Sequence, residues 1–257
     1  KPCLCPYGFS FPPLKARSLY KQGYENLQAN QYIQSEELFN MALSYKPVKK
    51  WFFTYAEGYR DHKQYDRAAK MYRGVIQRYK HDKQAGLDWA DMEANELYNY
   101  EEAERILKRE VLDYHVNDAD ALLQLGDTYL AWADDKDPSK YADAKEIYDE
   151  LYDRYGDTAQ SNKYLSRQMR YYIRTDNLRQ VLAYKEYFYP LKKNGLEAED
   201  LTDLSGYLLE KRYGRENVVS AYCHFDEVSE HMHFCFIPVI KKQECEFDAD
   251  TGTLKTN

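Results

Sequence analysis

Small and large apolar positions recur along the chain at helical spacing. A tyrosine is followed three residues later by a small residue, and four residues after that by a large apolar residue. The four clear copies start at Tyr32, Tyr65, Tyr100 and Tyr141, which are 33, 35 and 41 residues apart. A small residue lets a neighbouring helix approach closely, and a bulky residue one turn later lies on the same helix face. The pattern therefore predicts the second helix of a repeating helical hairpin.

A small residue also marks the helix that precedes each copy. Gly23 and Ala56 lie 33 residues apart, and Gly126 takes the same place in the fourth unit. In the third unit we assign this place to Asp91, which makes that unit irregular. A fifth copy, which starts at Leu178, lacks the large apolar residue at its expected position. The sequence thus predicts about five hairpins, of which the fifth is degenerate.

These residues resemble the tetratricopeptide repeat, or TPR, a helix–turn–helix of about 34 residues with small positions in both helices. Pro47 corresponds to the late proline of the first unit. The resemblance implies an all-α fold, with an N-terminal extension over 1–13 and an α-solenoid of TPR-like helical hairpins over 14–213. An unrelated helical bundle with chance Tyr-x-x-Ala matches is the alternative. Stacked hairpins present an extended concave face, so the resemblance also implies a scaffold that binds a protein partner.

In the TPR family, four positions of each first helix line the concave face. At these positions the candidate partner-binding residues are Arg17, Tyr20, Tyr24, Phe53, Glu57, Arg60 and Met92. The face begins aromatic and basic and becomes acidic further along. Tyrosine offers a large contact area, which suits a bound peptide or helix. For Tyr20 and Tyr24 the alternative is packing against the neighbouring repeat.

The repeats also resemble spirochaete repeat proteins of the periplasmic flagellar collar. The similarity is carried by 122–134, 138–141 and 169–178. It implies an assembly scaffold in a motility or envelope structure. The sequence leaves the compartment open between the bacterial periplasm and the cytoplasm.

The pattern changes after residue 213 to runs of β-branched and aromatic residues. The runs over 217–225 and 231–240 flank a polar break and predict a short β-hairpin within a C-terminal tail over 214–257. His231 and His233 lie two residues apart on one strand and therefore share a face, which His224 on the paired strand could meet. Three imidazoles and a carboxylate suit a divalent transition metal such as Mn or Zn.

The segment over 211–240 resembles the third motif of plasmid mobilisation relaxases of the Mob/Pre type. That motif is His-x-Asp-Glu-x-Thr-Pro-His-x-His, followed by a hydrophobic strand. The resemblance implies that the metal ligands are His224, His231 and His233, with Glu227 as an auxiliary ligand or base and Asp226 as support for a histidine. It offers an alternative function, a metal-dependent DNA relaxase fragment with a three-histidine site.

Charge and missing motif elements favour the scaffold over the relaxase. The formal net charge of −7 argues against non-specific binding of nucleic acid. Ser229 and Glu230 stand where the relaxase motif has Thr-Pro, and no nucleophile domain is identifiable. We therefore predict a non-enzymatic protein with no catalytic residues, a solenoid that requires no cofactor, and a protein rather than a nucleic-acid partner. No apolar run is long enough to predict a membrane span, and the sequence assigns no oligomeric state.

Overall fold

Helices make up most of the chain in a computed structural model that describes residues 12–156, 161–183, 198–224, 231–237, 245–248 and 253–256. The chain divides into two compact units, Lys1–Asp153 and Arg154–Asn257. This division falls earlier than the predicted start of the tail at residue 214. The last predicted helices therefore share a unit with the β-strands.

Helical hairpins follow one another in chain order through the first unit. The helices are α1 (Pro12–Gln28), α2 (Tyr32–Tyr45), α3 (Lys49–Asp61), α4 (Tyr65–Arg78), α5 (Lys83–Asn95), α6 (Tyr100–Ile106), α7 (Ala119–Asp135) and α8 (Lys140–Tyr155). A π-helical stretch over Leu107–Leu112 continues α6. The contacts of α1 with α2, of α3 with α4 and of α5 with α6 define the hairpins. The first helices also contact one another, α1 with α3 and α5 with α7.

The small and large positions of the second helices are buried as their spacing predicts. The small residues are fully buried and the large residues four positions later are at most 3% exposed. These pairs are Ser35 and Phe39, Ala68 and Tyr72, Ala103 and Leu107, and Ala144 and Tyr148. The tyrosine-led pattern therefore forms the core between the helices of each hairpin.

The assignment of Asp91 to the small position of the third unit is wrong. Ala90 lies 34 residues after Ala56, and both residues are fully buried. Asp91 is only half-buried and forms an ion pair with Arg60 of α3. The first helix of the third unit therefore follows the repeat, with its register one residue earlier than the sequence assignment.

The turn inside the hairpin has the same backbone geometry in three places. Asn30, Lys63 and Asp176 have positive φ angles of 61°, 56° and 55°. In each turn the next amide donates to the carbonyl five residues earlier, as in Gln31 to Asn26. This hydrogen bond closes a helix end of the Schellman type. The degenerate fifth copy therefore keeps the turn of the repeat, since Asp176 precedes it.

Ion pairs recur between consecutive first helices. Lys49, the first residue of α3, pairs with Asp82, and Lys83, the first residue of α5, has its Nζ 2.9 Å from Oδ2 of Asp118. Each aspartate precedes a first helix and accepts a hydrogen bond from the backbone amide three residues later. The aspartate therefore caps one helix and binds the start of the preceding first helix.

The second unit has a small helical core. Its helices are α9 (Ser161–Arg174), α10, which is described over 178–183, and α11 (Ala198–Tyr213). Met169, Val181, Leu204 and Tyr207 form the buried cluster between them. The hydroxyl of Tyr207 donates to Oδ1 of Asp176 at 2.8 Å, which links α11 to the turn before α10. None of the helices in the described segments is long and apolar enough to cross a membrane.

Paired strands follow α11 in the second unit. A 3-10 turn over Arg215–Asn217 leads into β1 (Val218–His224), which pairs antiparallel with β2 (His231–Phe236) and contacts α11. β3 (Cys245–Asp248) pairs antiparallel with β4 (Thr253–Thr256). The predicted short hairpin of the tail is therefore present, and a second strand pair follows it.

Gly126 and Gly206 give opposite expectations for the same substitution. A β-carbon at Gly126 would lie 2.6 Å from Cε1 of buried Tyr148, whereas one at Gly206 meets nothing within 4 Å. Gly126→Ala should therefore lower the free energy of unfolding by about 1–3 kcal/mol through overpacking. Gly206→Ala should raise it by about 0.5–1 kcal/mol, because alanine favours the helix.

Urea unfolding measures both variants by circular dichroism, and tryptophan fluorescence reports on the first unit, which holds all three tryptophans, Trp51, Trp89 and Trp132. A Gly126→Ala variant as stable as the unmodified protein would contradict the close approach of α7 and α8.

Candidate partner-binding surface

The first helices lie side by side and carry most of the predicted partner-binding residues. We define the first-helix surface as the exposed and half-buried side chains of α1, α3 and α5. Arg17, Tyr20 and Tyr24 lie on α1, and Phe53, Glu57 and Arg60 lie on α3. Arg17 and Glu57 are exposed, and the other four are half-buried. The structure therefore brings six of the seven predicted residues to one surface of the first unit.

Tyr20 and Tyr24 pack against the neighbouring hairpin. The ring of Tyr20 stacks on Trp51 with 4.5 Å between centroids, and the ring of Tyr24 lies 5.6 Å from that of Tyr55. The hydroxyl of Tyr55 donates to the carbonyl of Tyr20 at 2.9 Å. The packing alternative considered for the two tyrosines is thus correct, and each ring still keeps a partly exposed surface.

Arg60 is an internal link of the first-helix surface. Its guanidinium lies 2.9 Å from Oδ2 of Asp91, and its Nε donates to Oε1 of Glu96 at 2.6 Å. A longer contact of 3.5 Å reaches the hydroxyl of Tyr72. Arg60 therefore joins α3 to the third hairpin. Because two carboxylates already neutralise its charge, it offers little positive charge to a partner.

Met92 does not belong to this surface, and its predicted contact with a partner is wrong. Its side chain is fully buried. The reason is the one-residue shift of α5, which places Ala90 at the helix contact and turns Met92 into the core. Asp91 takes the corresponding surface position, 34 residues after Glu57. That spacing could have identified Asp91 from the sequence.

The charges of two carboxylates of α3 act on the phenol of Tyr24. Burial and the phenol of Tyr20 raise the pKa of Tyr24, a hydrogen bond with Gln28 lowers it, and the charges of Asp61 and Glu57 raise it further. Glu57 and Asp61 are both exposed and lie one turn apart on α3. Within the described part of the chain, neither carboxylate forms an ion pair. The surface beside Tyr24 therefore carries uncompensated negative charge.

The negative charge continues onto α5 and α7. Asp88 is half-buried, and burial raises its pKa; the hydrogen bond from Gln84 and the charge of Arg60 oppose this, while the charges of Asp91 and Asp82 add to it. Its Oδ1 accepts a hydrogen bond from Gln84 at 2.7 Å. On α7, Asp127 accepts a hydrogen bond of 2.8 Å from Tyr148. Acidic side chains thus follow the aromatic residues across consecutive first helices, as the sequence predicts.

The strand register places the three histidines on one face of the β1–β2 hairpin. His224 lies directly opposite His231, and His233 lies opposite Tyr222. Opposite residues and alternate residues of paired strands share a face, and His233 is exposed. Glu227 and Asp226 lie outside the described residues. No metal-binding group of three or more acid, histidine or cysteine residues occurs among the described side chains, so the metal site stays a prediction.

Comparison with protein families finds a match in the second part of the chain. The matching family is Mob/Pre, described as plasmid recombination enzyme, and the match covers residues 134–256. It spans just under half of the chain and extends well upstream of the predicted similarity over 211–240. No curated protein sequence matches this chain.

Comparison with solved structures finds TPR proteins. A TPR protein from Parabacteroides merdae is similar with a TM-score of 0.52 and 14% identity, over 79% of this chain and 75% of that one. PilF from Pseudomonas aeruginosa matches with a TM-score of 0.49 and 16% identity over 80% and 88%. A thermophilic TPR protein from Thermus thermophilus matches with a TM-score of 0.48 and 15% identity over 76% and 99%.

The first of these similarities identifies the fold. An α-solenoid of TPR-like hairpins with a short C-terminal β-hairpin is confirmed. At this low sequence identity the similarity assigns no ligand or activity. The resemblance to flagellar collar proteins stays a prediction.

Removal of Arg60 should destabilise the first unit. Arg60→Ala leaves the carboxylates of Asp91 and Glu96 without the cation that they share. The charge of Asp91 also acts on the carboxyl group of Asp88. We expect the free energy of unfolding to fall by about 1–2 kcal/mol, because Arg60 is half-buried and hydrogen-bonded to two carboxylates. The control is Arg17→Ala, an exposed residue of the same surface, for which we expect a change within about 0.5 kcal/mol. Urea unfolding followed by tryptophan fluorescence measures both variants. Equal changes in the free energy of unfolding would contradict the role of Arg60 as a link between α3 and the third hairpin.

Proposed function

We propose that this protein is a non-enzymatic scaffold that binds a partner protein through the first-helix surface. The observation that carries the proposal is the side-by-side arrangement of first helices with half-exposed aromatic rings and unpaired carboxylates. In helical repeat proteins, stacked hairpins form extended binding surfaces. The resemblance to flagellar collar proteins further suggests that this partner belongs to a motility or envelope assembly.

The packing of the aromatic residues supports this proposal energetically. Tyr20 is held by its stacking on Trp51, and Tyr24 by its contact with Tyr55. Rings that are already ordered lose little conformational entropy when a partner binds. The half-exposed ring of Phe53, held by an edge contact with Tyr72, extends the same surface. Three fixed aromatic rings beside polar groups therefore suit the anchoring of a peptide or helix.

Site-specific photo-crosslinking tests the proposed surface. A photoreactive phenylalanine analogue replaces Arg17 on α1 or, as the matched control, Glu37 on α2, since both residues are exposed. Irradiation in the native cell should give a discrete crosslinked partner from position 17 and none from position 37. Tyr24→Ala should weaken that crosslink, because it removes part of the aromatic surface. Crosslinks confined to position 37 would refute the proposal.

A second candidate function, a metal-dependent DNA relaxase, has an observation of its own. The Mob/Pre match covers 134–256, and the β1–β2 register gives His224, His231 and His233 a common face. With Glu227, these residues would hold a divalent metal such as Mn or Zn. A bound metal would polarise a phosphate ester toward attack. The similarity of the fold to a TPR protein supports the scaffold more directly than the family match supports the relaxase.

Metal analysis and a nicking assay separate the two candidates. We expect the purified chain to leave supercoiled plasmid uncut in the presence of Mn²⁺. Nicking that disappears in His233→Ala would establish the relaxase function and overturn the non-enzymatic interpretation. The metal content of the protein, measured with and without His231→Ala, reports separately on the histidine site. Bound metal that is lost in His231→Ala, without nicking, would show a site without turnover.

A further inference from the structure

We infer that the first-helix surface recognises a cationic partner segment, and that an arginine or lysine side chain of this segment binds between Tyr24 and the carboxylates of Glu57 and Asp61. The inference rests on the proposed function, because it names the chemistry of the partner for the same surface. It follows from the positions, exposure and charge of these three side chains.

The ring of Tyr24 lies directly beside the helix that carries both carboxylates. A β-carbon at Gly58 would lie 3.2 Å from Cε2 of Tyr24, so the ring is seated against α3 at Gly58, the residue after Glu57. Both carboxylates act on the phenol of Tyr24 through their charge. Because all three side chains are at least partly exposed, a group from outside the protein can reach them together.

The two carboxylates are placed where the free protein gains nothing from them. Glu57 and Asp61 are like charges four residues apart on one helix, an arrangement that destabilises the helix. Asp61 is also the last residue of α3, where the negative end of the helix dipole disfavours a carboxylate. Within the described residues neither has a basic partner. A bound cation would relieve both sources of repulsion.

The basic side chain next to Asp61 on α3 is already engaged by other carboxylates. Arg60 lies one residue before Asp61 and is already bound by Asp91 and Glu96. Asp88 on α5 is half-buried, and the charges of Arg60, Asp91 and Asp82 all act on it. The negative charge therefore continues over one repeat length, which suits a segment with more than one basic residue.

The chemistry of the surface selects a cation over the other classes of partner. A guanidinium or ammonium group interacts favourably with an aromatic ring and with a carboxylate at the same time. An acidic peptide or a nucleic acid would meet repulsion from Glu57, Asp61 and Asp88. A purely apolar helix would cover the carboxylates without compensation, which is costly.

Fluorescence anisotropy of the full chain with labelled peptides tests the inference. The probe is a synthetic peptide of alternating arginine and serine, and its neutral counterpart has citrulline in place of arginine. The surface variant is Glu57→Gln with Asp61→Asn, and the charge-matched control is Glu37→Gln with Glu101→Gln, two exposed residues of second helices. All measurements are made at physiological salt, where non-specific attraction is screened.

We expect the arginine peptide to bind at least about tenfold more tightly than the citrulline peptide, which corresponds to a difference of about 1.4 kcal/mol. The surface variant should lose this preference, and the control should keep it within about twofold. The surface variant should also be more stable to urea than the unmodified protein, because it removes the unfavourable charges. A merely structural pair of carboxylates would give the opposite change in stability.

Two results would overturn the inference. Equal weakening in the surface variant and the control would mean general attraction to an acidic protein, and absence of binding by the arginine peptide would mean no cation site. If the crosslink at position 17 persists in either case, the proposed scaffold function stands and only the cationic partner is wrong. Loss of the crosslink would refute the scaffold itself.

Discussion

The first unit depends on one constraint, the close approach of its helices at small residues. An aromatic ring from a neighbouring helix occupies the space beside the small residue. A β-carbon at Gly23 would lie 2.4 Å from the hydroxyl oxygen of Tyr55. That hydroxyl is in turn fixed by the carbonyl of Tyr20. The distance between α1 and α3 therefore depends on the absence of a side chain at Gly23 and on the Tyr55 side chain that occupies this space. The same contact seats Tyr24 beside α3, so the candidate surface is a consequence of the packing.

The sequence predicts the second helices well because their signal is local. A small residue and a large residue four positions later define a helix face without knowledge of its neighbours, and Ala103 with Leu107 are fully buried as expected. The first helix of the third unit shows the limit of this reasoning. A shift of one residue turns a helix by about 100°. Assigning Asp91 instead of Ala90 to the small position therefore predicts that Met92 lies on the surface, whereas it lies in the core.

Contacts between repeats are harder to predict because their partners are distant in sequence. The pairs of Lys49 with Asp82 and of Lys83 with Asp118 recur once per hairpin, but each pair alone is an ordinary lysine and aspartate. The role of Arg60 also depends on which residue of α5 faces it. Only an alignment of the hairpins against one another would have revealed these links. For the histidines, the sequence predicts the strands and their common face, while the metal itself stays a prediction.

The degenerate fifth copy has a physical explanation in the second unit. Val181, its small position, is fully buried, but it packs with Leu204 and Tyr207 of α11. Its side chains therefore fill a core that α11 shares, and α11 contacts β1. The residues of the fifth copy therefore meet the packing of this core rather than that of a further repeat, while the turn at Asp176 keeps the repeat geometry. The Mob/Pre match includes these same helices, which is consistent with helices that support the paired strands. The histidine face and the first-helix surface belong to different units.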